Sequence, residues 1–503
     1  MSHDIVNTVR WFGSKTNDLS NEISRKNTLI EIKAVLSNLD NSQLLQVSRS
    51  TPLNSVFDCL NTSDTEEIEL TSNIIFMLLQ HMNGVEQLNL YGPLLRRALS
   101  HPSPSPKTTV LRLLEKIVDG ETLSSLNSEN LLLLVEAANC LASPDRSIAQ
   151  GAITTFINMG KSPQGLSILF SQVFVDGLKN VMLVDDTSRF RVYEILVAVS
   201  EKSVEGLQAS HASGLLPLLL TEIKSTDHLI QLNALEVMNT LATCNHGLLY
   251  LQESGVIQYL VDKISKLEDE PLSFVLLPGL IEFFGNLYKL QPKQFSERYP
   301  NVLGFLFQSM DTADPVLLGV IISTVGKIGS TNAGKQVLNN SDKMVLFLKR
   351  SGQLLSSKND TTVSVMNSLS ELIKTDDPSL TPVTKQWFEE LGPSALETVA
   401  NIAKLPFVEL RLSALMFLNA IAKQPWGAEK LCRYPGMIEF LTDRSAEFNK
   451  DCKNAKFDIV VSITNNPVIS DVLTSDVIIK LREFVSEGPF FVPTVPETAF
   501  EGA

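Results

Sequence analysis

An acidic residue followed twenty positions later by glycine recurs along this chain: Asp64 and Gly84, Asp145 and Gly165, Asp186 and Gly206, Asp227 and Gly247, Asp314 and Gly334. The landmarks Asp64, Asp145, Asp186, Asp227, Asp269, Asp314 and Asp360 lie 81, 41, 41, 42, 45 and 46 residues apart, the first gap being two periods with a degenerate start near Ser105. Phe407 holds the same place before Gly427, and a last unit begins at Asp451. About ten units of 40–47 residues therefore run through the chain. A period of that size confines the fold to stacked helical repeats of the armadillo or HEAT kind, in which each unit buries its apolar face against its neighbours.

Within a unit, apolar residues recur at offsets 3, 7, 8, 11 and 14 from the landmark: Ile148, Ala152, Ile153, Phe156 and Met159 in one, Leu317, Ile321, Ile322, Val325 and Ile328 in another. At 100° per residue these offsets span an arc of about 140°, one buried face of a helix. The acidic start suits the positive N-terminal end of that helix. The recurring glycine, Gly247 for example, is expected to close the long helix with a positive φ, and a second glycine such as Gly255 to open the next one. Each unit then reads as a short, a middle and a long helix, closer to the armadillo layout than to HEAT. The expected fold is all-α, a right-handed armadillo/HEAT-like solenoid of about ten units. Residues 1–63 read as an N-terminal helical cap, 64–450 as the array, and 451–503 as a C-terminal cap with a frayed tail. The units at 269 and 360 lack the glycine at offset 20, and "KTDDPSLTPVT" (374–384) reads as a mobile loop.

With 44% hydrophobic and 19% charged residues, the 503-residue chain can bury a large apolar surface. Its formal charge of −14 and the absence of any basic run argue against nucleic acid as a partner. The five cysteines are far apart and never form CxxC, as for free thiols in a reducing compartment. "MSHDIVNTVRWFGSK" lacks the basic-then-apolar order of a signal peptide, and no apolar run reaches the length of a membrane span. A soluble monomer of the cytoplasm or nucleus is expected, with no membrane contact.

Signs of catalysis are weak. "GSTNAGKQ" (329–336) nearly matches a P-loop, but Gln336 stands where the magnesium-binding hydroxyl belongs and Gly334 is the repeat's own glycine; Lys335 is expected to be dispensable for the fold. Cys244 and His246 lie two apart and read as a buried thiol beside a surface histidine rather than a nucleophile pair. No metal-ligand spacing occurs among the six histidines. No catalytic residue, cofactor or metal is expected.

In "RFRVYEIL" (189–196) the register counted from Asp186 puts Arg189 at offset 3 and Glu194 at offset 8, where other units hold aliphatics. Two readings follow. The register slips by one residue, so that Phe190, Ile195 and Val199 fill the core; or Arg189, Arg191, Tyr193 and Glu194 form a polar contact with a partner. In "FFGNLY", Phe283 and Phe284 read as core. An import-receptor groove for a basic peptide is an alternative use of such an array, but the Asn slot at offset 13 holds Asn158 in one unit and Thr240, Lys327 or Ala420 in others, and no matching Trp is present.

The strings "RFRVYEIL", "LPGLIEFFGNLY" (277–288), "ERYP" (297–300), "TVGKIGS" with "GKQVL" (324–338), "QPW" (424–426), "PGMIEFLTDRS" (435–445) and "SEGPFFV" (486–492), in that order, resemble the 26S proteasome non-ATPase regulatory subunit 5 family from about residue 90 to the end. The resemblance implies a non-catalytic assembly chaperone of the proteasome regulatory particle base. Such a protein binds the C-terminal domain of a base ATPase subunit, with other early base subunits, and is absent from the finished particle.

Overall fold

Aspartate side chains cap five of the long helices. In the computed structural model, which describes residues 2–264, 275–312, 314–356 and 360–491, Asp64, Asp145, Asp227 and Asp314 each accept the backbone N–H two residues on, at 2.8–2.9 Å. In each case the residue two before the aspartate, Thr62, Ser143, Ser225 or Thr312, accepts the aspartate's own N–H. This satisfies donors that a helix start would otherwise leave unpaired. Where the landmark is Phe407, no side chain caps the helix Val408–Ala422. Asp269 and the expected frayed tail lie outside the described residues.

The described residues form α-helices and short 3-10 turns, with no strand. They group into two compact units, 1–250 and 251–503. In the first, the long helices Arg25–Leu36, Thr65–Leu79, Pro104–Ile117, Arg146–Met159, Asp186–Lys202 and His228–Met238 each pack on the next. In the second, Leu277–Leu290, Pro315–Ile328, Asp360–Ile373, Val408–Ala422 and Lys450–Thr464 do the same. Two further helices join most successive pairs, for example Asn332–Asn339 and Met344–Leu355. The expected three-helix unit is present, and the fold is a helical-repeat solenoid. The offsets read from the sequence are the buried ones: Ala152, Phe156, Met159, Ile321, Ile322, Val325 and Ile328 are all fully buried, and so are Phe283 and Phe284 to within 1%. One more long helix, Arg25–Leu36, lies in residues 1–63; its Lys26 meets Asp64 at 3.3 Å and Glu66 at 2.5 Å.

The recurring glycine has a different role from the one expected. Gly247 lies inside the helix Asn245–Glu253 and is absent from the positive-φ set, which comprises Gly214, Gly255, Gly392, Gly436 and Gly488. A Cβ on Gly247 would stand 2.2 Å from the Leu241 carbonyl oxygen; on Gly165, Gly334 and Gly427 it would meet the carbonyl six residues back at 1.8–2.0 Å. The glycine therefore sits in the first turn of the next helix. There its N–H is taken by Ser162, Ser203 or Thr331 in the units ending at Gly165, Gly206 and Gly334. The turn is sharp, 116° between Pro315–Ile328 and Asn332–Asn339, and it presses the new helix onto the last-turn carbonyls of the old one. Left-handed φ belongs instead to the second glycine: Gly214, Gly255 and Gly436 directly precede the helices Leu215–Glu222, Val256–Ile264 and Met437–Thr442.

Residues 374–384 are also more ordered in secondary structure than expected. Asp377 caps the turn Pro378–Leu380, with Pro378 at its first position, and the helix Thr381–Glu390 follows at once. Trp426 donates to the Thr384 hydroxyl at 3.3 Å, which holds that helix against the next unit.

Candidate partner-binding surface

A long helix that buries offsets 7, 8, 11 and 14 leaves offsets 2, 6 and 9 on its open side. On Asp186–Lys202 these are Thr187, Arg191 and Glu194; on His228–Met238 they are Leu229, Asn233 and Glu236. All but Leu229 line one groove of about 600 Å³ between the two helices, together with Asp186, Phe190, Val237 and Thr240. Leu183, Val184 and Leu229, which are 84%, 59% and 66% exposed, stand at the N-terminal ends of the same two helices. Counting open offsets rather than buried ones would have found Asn233 and Glu236 in the sequence.

The register in this unit starts at Asp185, whose carboxylate accepts the Ser188 N–H at 2.7 Å. Counted from there, offsets 3, 7, 8, 11 and 14 are Ser188, Val192, Tyr193, Leu196 and Val199, all buried. The register does slip by one residue, but toward the N-terminus, the opposite direction from the slip that would put Phe190 in the core. Ile195 and Val199 are buried and Phe190 half-buried, so Arg189 and Glu194 do not occupy core positions. The four singled-out residues have separate surroundings. Arg191 reaches back to the preceding unit, its Nη1 donating to the Leu141 and Ser143 carbonyls at 2.6 and 2.8 Å. Arg189 pairs with Asp186 at 2.8 Å and with Glu222 at 3.0 Å. Tyr193 is 1% exposed and donates to Glu222 at 3.2 Å; burial, and then the Glu222 carboxylate, push its hydroxyl pKa up. Glu194 is exposed in the groove; desolvation there raises its carboxyl against the opposing pull of Arg191. Thus Arg189 and Tyr193 form one ion-pair cluster with Glu222, Arg191 forms a tie between units, and Glu194 faces outward.

A second groove on the long-helix face, about 450 Å³, lies in the other unit between Pro315–Ile328 and its neighbours. Val316, Val320, Ser323 and Ser364 line it, with Glu282 and Lys327 at 3.6 Å on its rim. Small residues set the helix spacing here: a Cβ on Gly285 would meet Thr324, and one on Gly326 would meet Ser368.

The near-P-loop is structural. Lys335 is fully buried and its ammonium donates to the carbonyls of Gly329 and Glu371, joining the C-terminal ends of two long helices. It is therefore not dispensable for packing, contrary to expectation; burial pulls its pKa down to about 8. Cys244 lies 3.5 Å from His246, but burial raises the thiol pKa, and His246 is 2.8 Å from the Ser200 carbonyl. A raised thiol is a poor nucleophile. Asn158 donates to the Glu115 carbonyl at 3.2 Å, so the one residue in the Asn slot is used between helices.

Stacked three-helix units with open grooves along their long helices define a helical-repeat scaffold. The chain belongs to the proteasome non-ATPase 26S subunit family, which it matches over residues 10–503. It is 33% identical to the human 26S proteasome non-ATPase regulatory subunit 5 over 96% of this chain and 98% of that one. The bovine protein of that name is 32% identical over the same shares, and the Drosophila melanogaster one 25% identical over 98% of each. Among solved structures it is similar to yeast importin-beta (Kap95p), with a TM-score of 0.55 at 12% identity over 96% of this chain. It spans about 65% of that longer protein, and the likeness shows the fold alone.

Proposed function

We propose that this protein is a non-catalytic assembly chaperone for the base of the proteasome regulatory particle. It binds the C-terminal domain of a base ATPase subunit, together with other early base subunits, and leaves before or on completion of the particle. The observation that carries this reading is the match to the subunit 5 relatives along essentially the whole chain. The solenoid supports it by offering long open helix faces to a domain-sized partner, in the cytoplasm or nucleus, as a monomer. The groove beside Glu194 is the proposed part of the grip. Glu194 and Arg191 face the client there, while Arg189 and Tyr193 hold the helix that presents them.

Reversing Arg189 and Arg191 together would break the ties to Glu222 and to the Leu141 and Ser143 carbonyls, so loss of binding in that variant would not separate grip from fold. Glu194→Lys combined with Glu236→Lys changes exposed groove positions only. This variant should keep its helical circular dichroism and bind an isolated base ATPase C-terminal domain at least tenfold more weakly. Unchanged affinity would remove the groove from the interface. Affinity purification of the wild type should recover free base ATPases but not the doubly assembled proteasome. Equal recovery of both would defeat the chaperone reading.

A further inference from the structure

On a chain with 56 acidic and 42 basic residues, one surface reverses the balance. The helices Pro300–Gln308 and Met344–Leu355 carry no carboxylate at all, and the groove between them, about 430 Å³, is lined by Lys343, Lys349 and Arg350. Leu346 stands among these cations, 68% exposed; Lys343 lies three positions before it and Lys349 and Arg350 three and four after, all on one helix face. The floor is aromatic and fixed: Phe307 and Phe347, 7% and 2% exposed, meet edge to face with ring centres 6.0 Å apart. Asp311 on the rim is the single acid among the lining residues.

These cations are weakly engaged within the chain. Lys343 donates to the Gly304 carbonyl at 3.3 Å. Lys349 reaches Glu390 only at 3.8 Å, and its side chain is 60% exposed. Arg350 contacts the neutral Gln353 amide oxygen at 3.4 Å, and among the described residues no carboxylate pairs with it. A guanidinium left without an anion beside an exposed leucine and an apolar floor is arranged for a ligand carrying both charge and an apolar group.

We infer that this groove is a second docking surface, which takes an extended acidic segment of a partner protein. From Lys343 to Arg350 is seven residues, roughly 10 Å along the helix. On an extended strand residues i, i+2 and i+4 point to one side, so two carboxylates four residues apart, about 13 Å, face the helix together, and the long Lys and Arg stems take up the difference. An apolar side chain between them falls on Leu346 and the Phe307 ring. The complementary charge is on the page: the lining carries three cations against one acid, opposite in sign to the chain as a whole. The groove lies between Pro300–Gln308 and Met344–Leu355, in the unit 251–503, whereas the proposed client grip is on Asp186–Lys202 and His228–Met238, in the unit 1–250.

The test uses the full chain and a fluorescein-labelled ten-residue peptide in which two glutamates four apart flank one leucine at the central position, so that all three side chains share one face of the extended peptide. Fluorescence anisotropy should show binding that weakens at least tenfold when both glutamates are replaced by glutamine. Lys349→Glu with Arg350→Glu should produce the same tenfold loss, and Leu346→Ser a loss of about threefold, with circular dichroism unchanged in both. These are exposed positions, so the fold is expected to hold. No binding of the acidic peptide, equal binding of the glutamine peptide, or full affinity in the charge-reversed variant would each overturn the inference. So would a ten-residue thymidine oligonucleotide that binds more tightly than the peptide and is lost in the same variant, because the patch would then read nucleic-acid phosphate. Recovery of base ATPases by the Lys349/Arg350 variant should match wild type, which separates this surface from the chaperone grip.

Discussion

A hydrogen in place of a methyl group at Gly247 lets the helix Asn245–Glu253 pass over the Leu241 carbonyl. Replacing a helical glycine by alanine ordinarily stabilises by about 0.5–1 kcal/mol. Here the added Cβ would stand 2.2 Å from the oxygen, and Gly247→Ala is expected to cost about 1–3 kcal/mol instead. Gly255→Ala should cost about 1 kcal/mol by another route, the φ of 74° at a site with open space around it. Urea titration of the two variants checks both, and a Gly247→Ala protein as stable as wild type would refute the close approach. Lys335 makes a second prediction. Lys335→Ala removes a buried stem and the ammonium that donates to both carbonyls, at an expected cost of about 2–4 kcal/mol. The folded pKa near 8 lies below the ordinary 10.5, so the unfolded chain binds more protons between those values. Wild type should therefore gain stability relative to the variant as pH rises from about 8 to 10.5. Unfolding midpoints measured across that window decide the sign.

At the scale of one helix, the cap carries much of the information. Asp145 and Asp185 are held below the usual carboxylate range, Asp145 chiefly by the Ser147 hydroxyl and Asp185 chiefly by the Ser188 N–H. A depressed carboxyl stabilises the fold above its unfolded pKa, and that contribution is lost as pH falls through the folded value. Asn keeps a capping oxygen but does not titrate. Asp145→Asn should therefore match wild type near neutral pH and lose less stability on acidification below pH 4. Acid titration of helical circular dichroism in the two proteins tests this, and superimposable acid limbs would remove the cap from the account. Much of this element was legible in advance: the acidic start, the buried offsets and the three-helix unit all follow from local spacing. The hydroxyl two residues before Asp64, Asp145, Asp227 and Asp314 was equally legible. The start of the fifth long helix was misplaced because Asp185 and Asp186 are both acidic, and only the hydrogen bond to Ser188 tells them apart.

Across the whole molecule, two compact units, 1–250 and 251–503, each with their own stacked long helices, predict thermal unfolding that is not a single two-state event. Repeat arrays lose cooperativity as they lengthen. Calorimetry should give a van't Hoff enthalpy well below the calorimetric one, and equality of the two would show that the units melt as one. Period, helix length and the identity of the buried face were determined by the sequence itself, because each depends on residues within one turn or one unit of each other. The family was legible too, from ordered strings that the repeat does not require. What a side chain does between units was decided only by the tertiary structure. Arg191 meets carbonyls about fifty residues back, Lys335 meets one 36 residues ahead, and the recurring glycine answers to an angle between helices. No local pattern encodes those distances; they exist once the long helices have stacked, and the grooves beside Glu194 and Leu346 exist for the same reason.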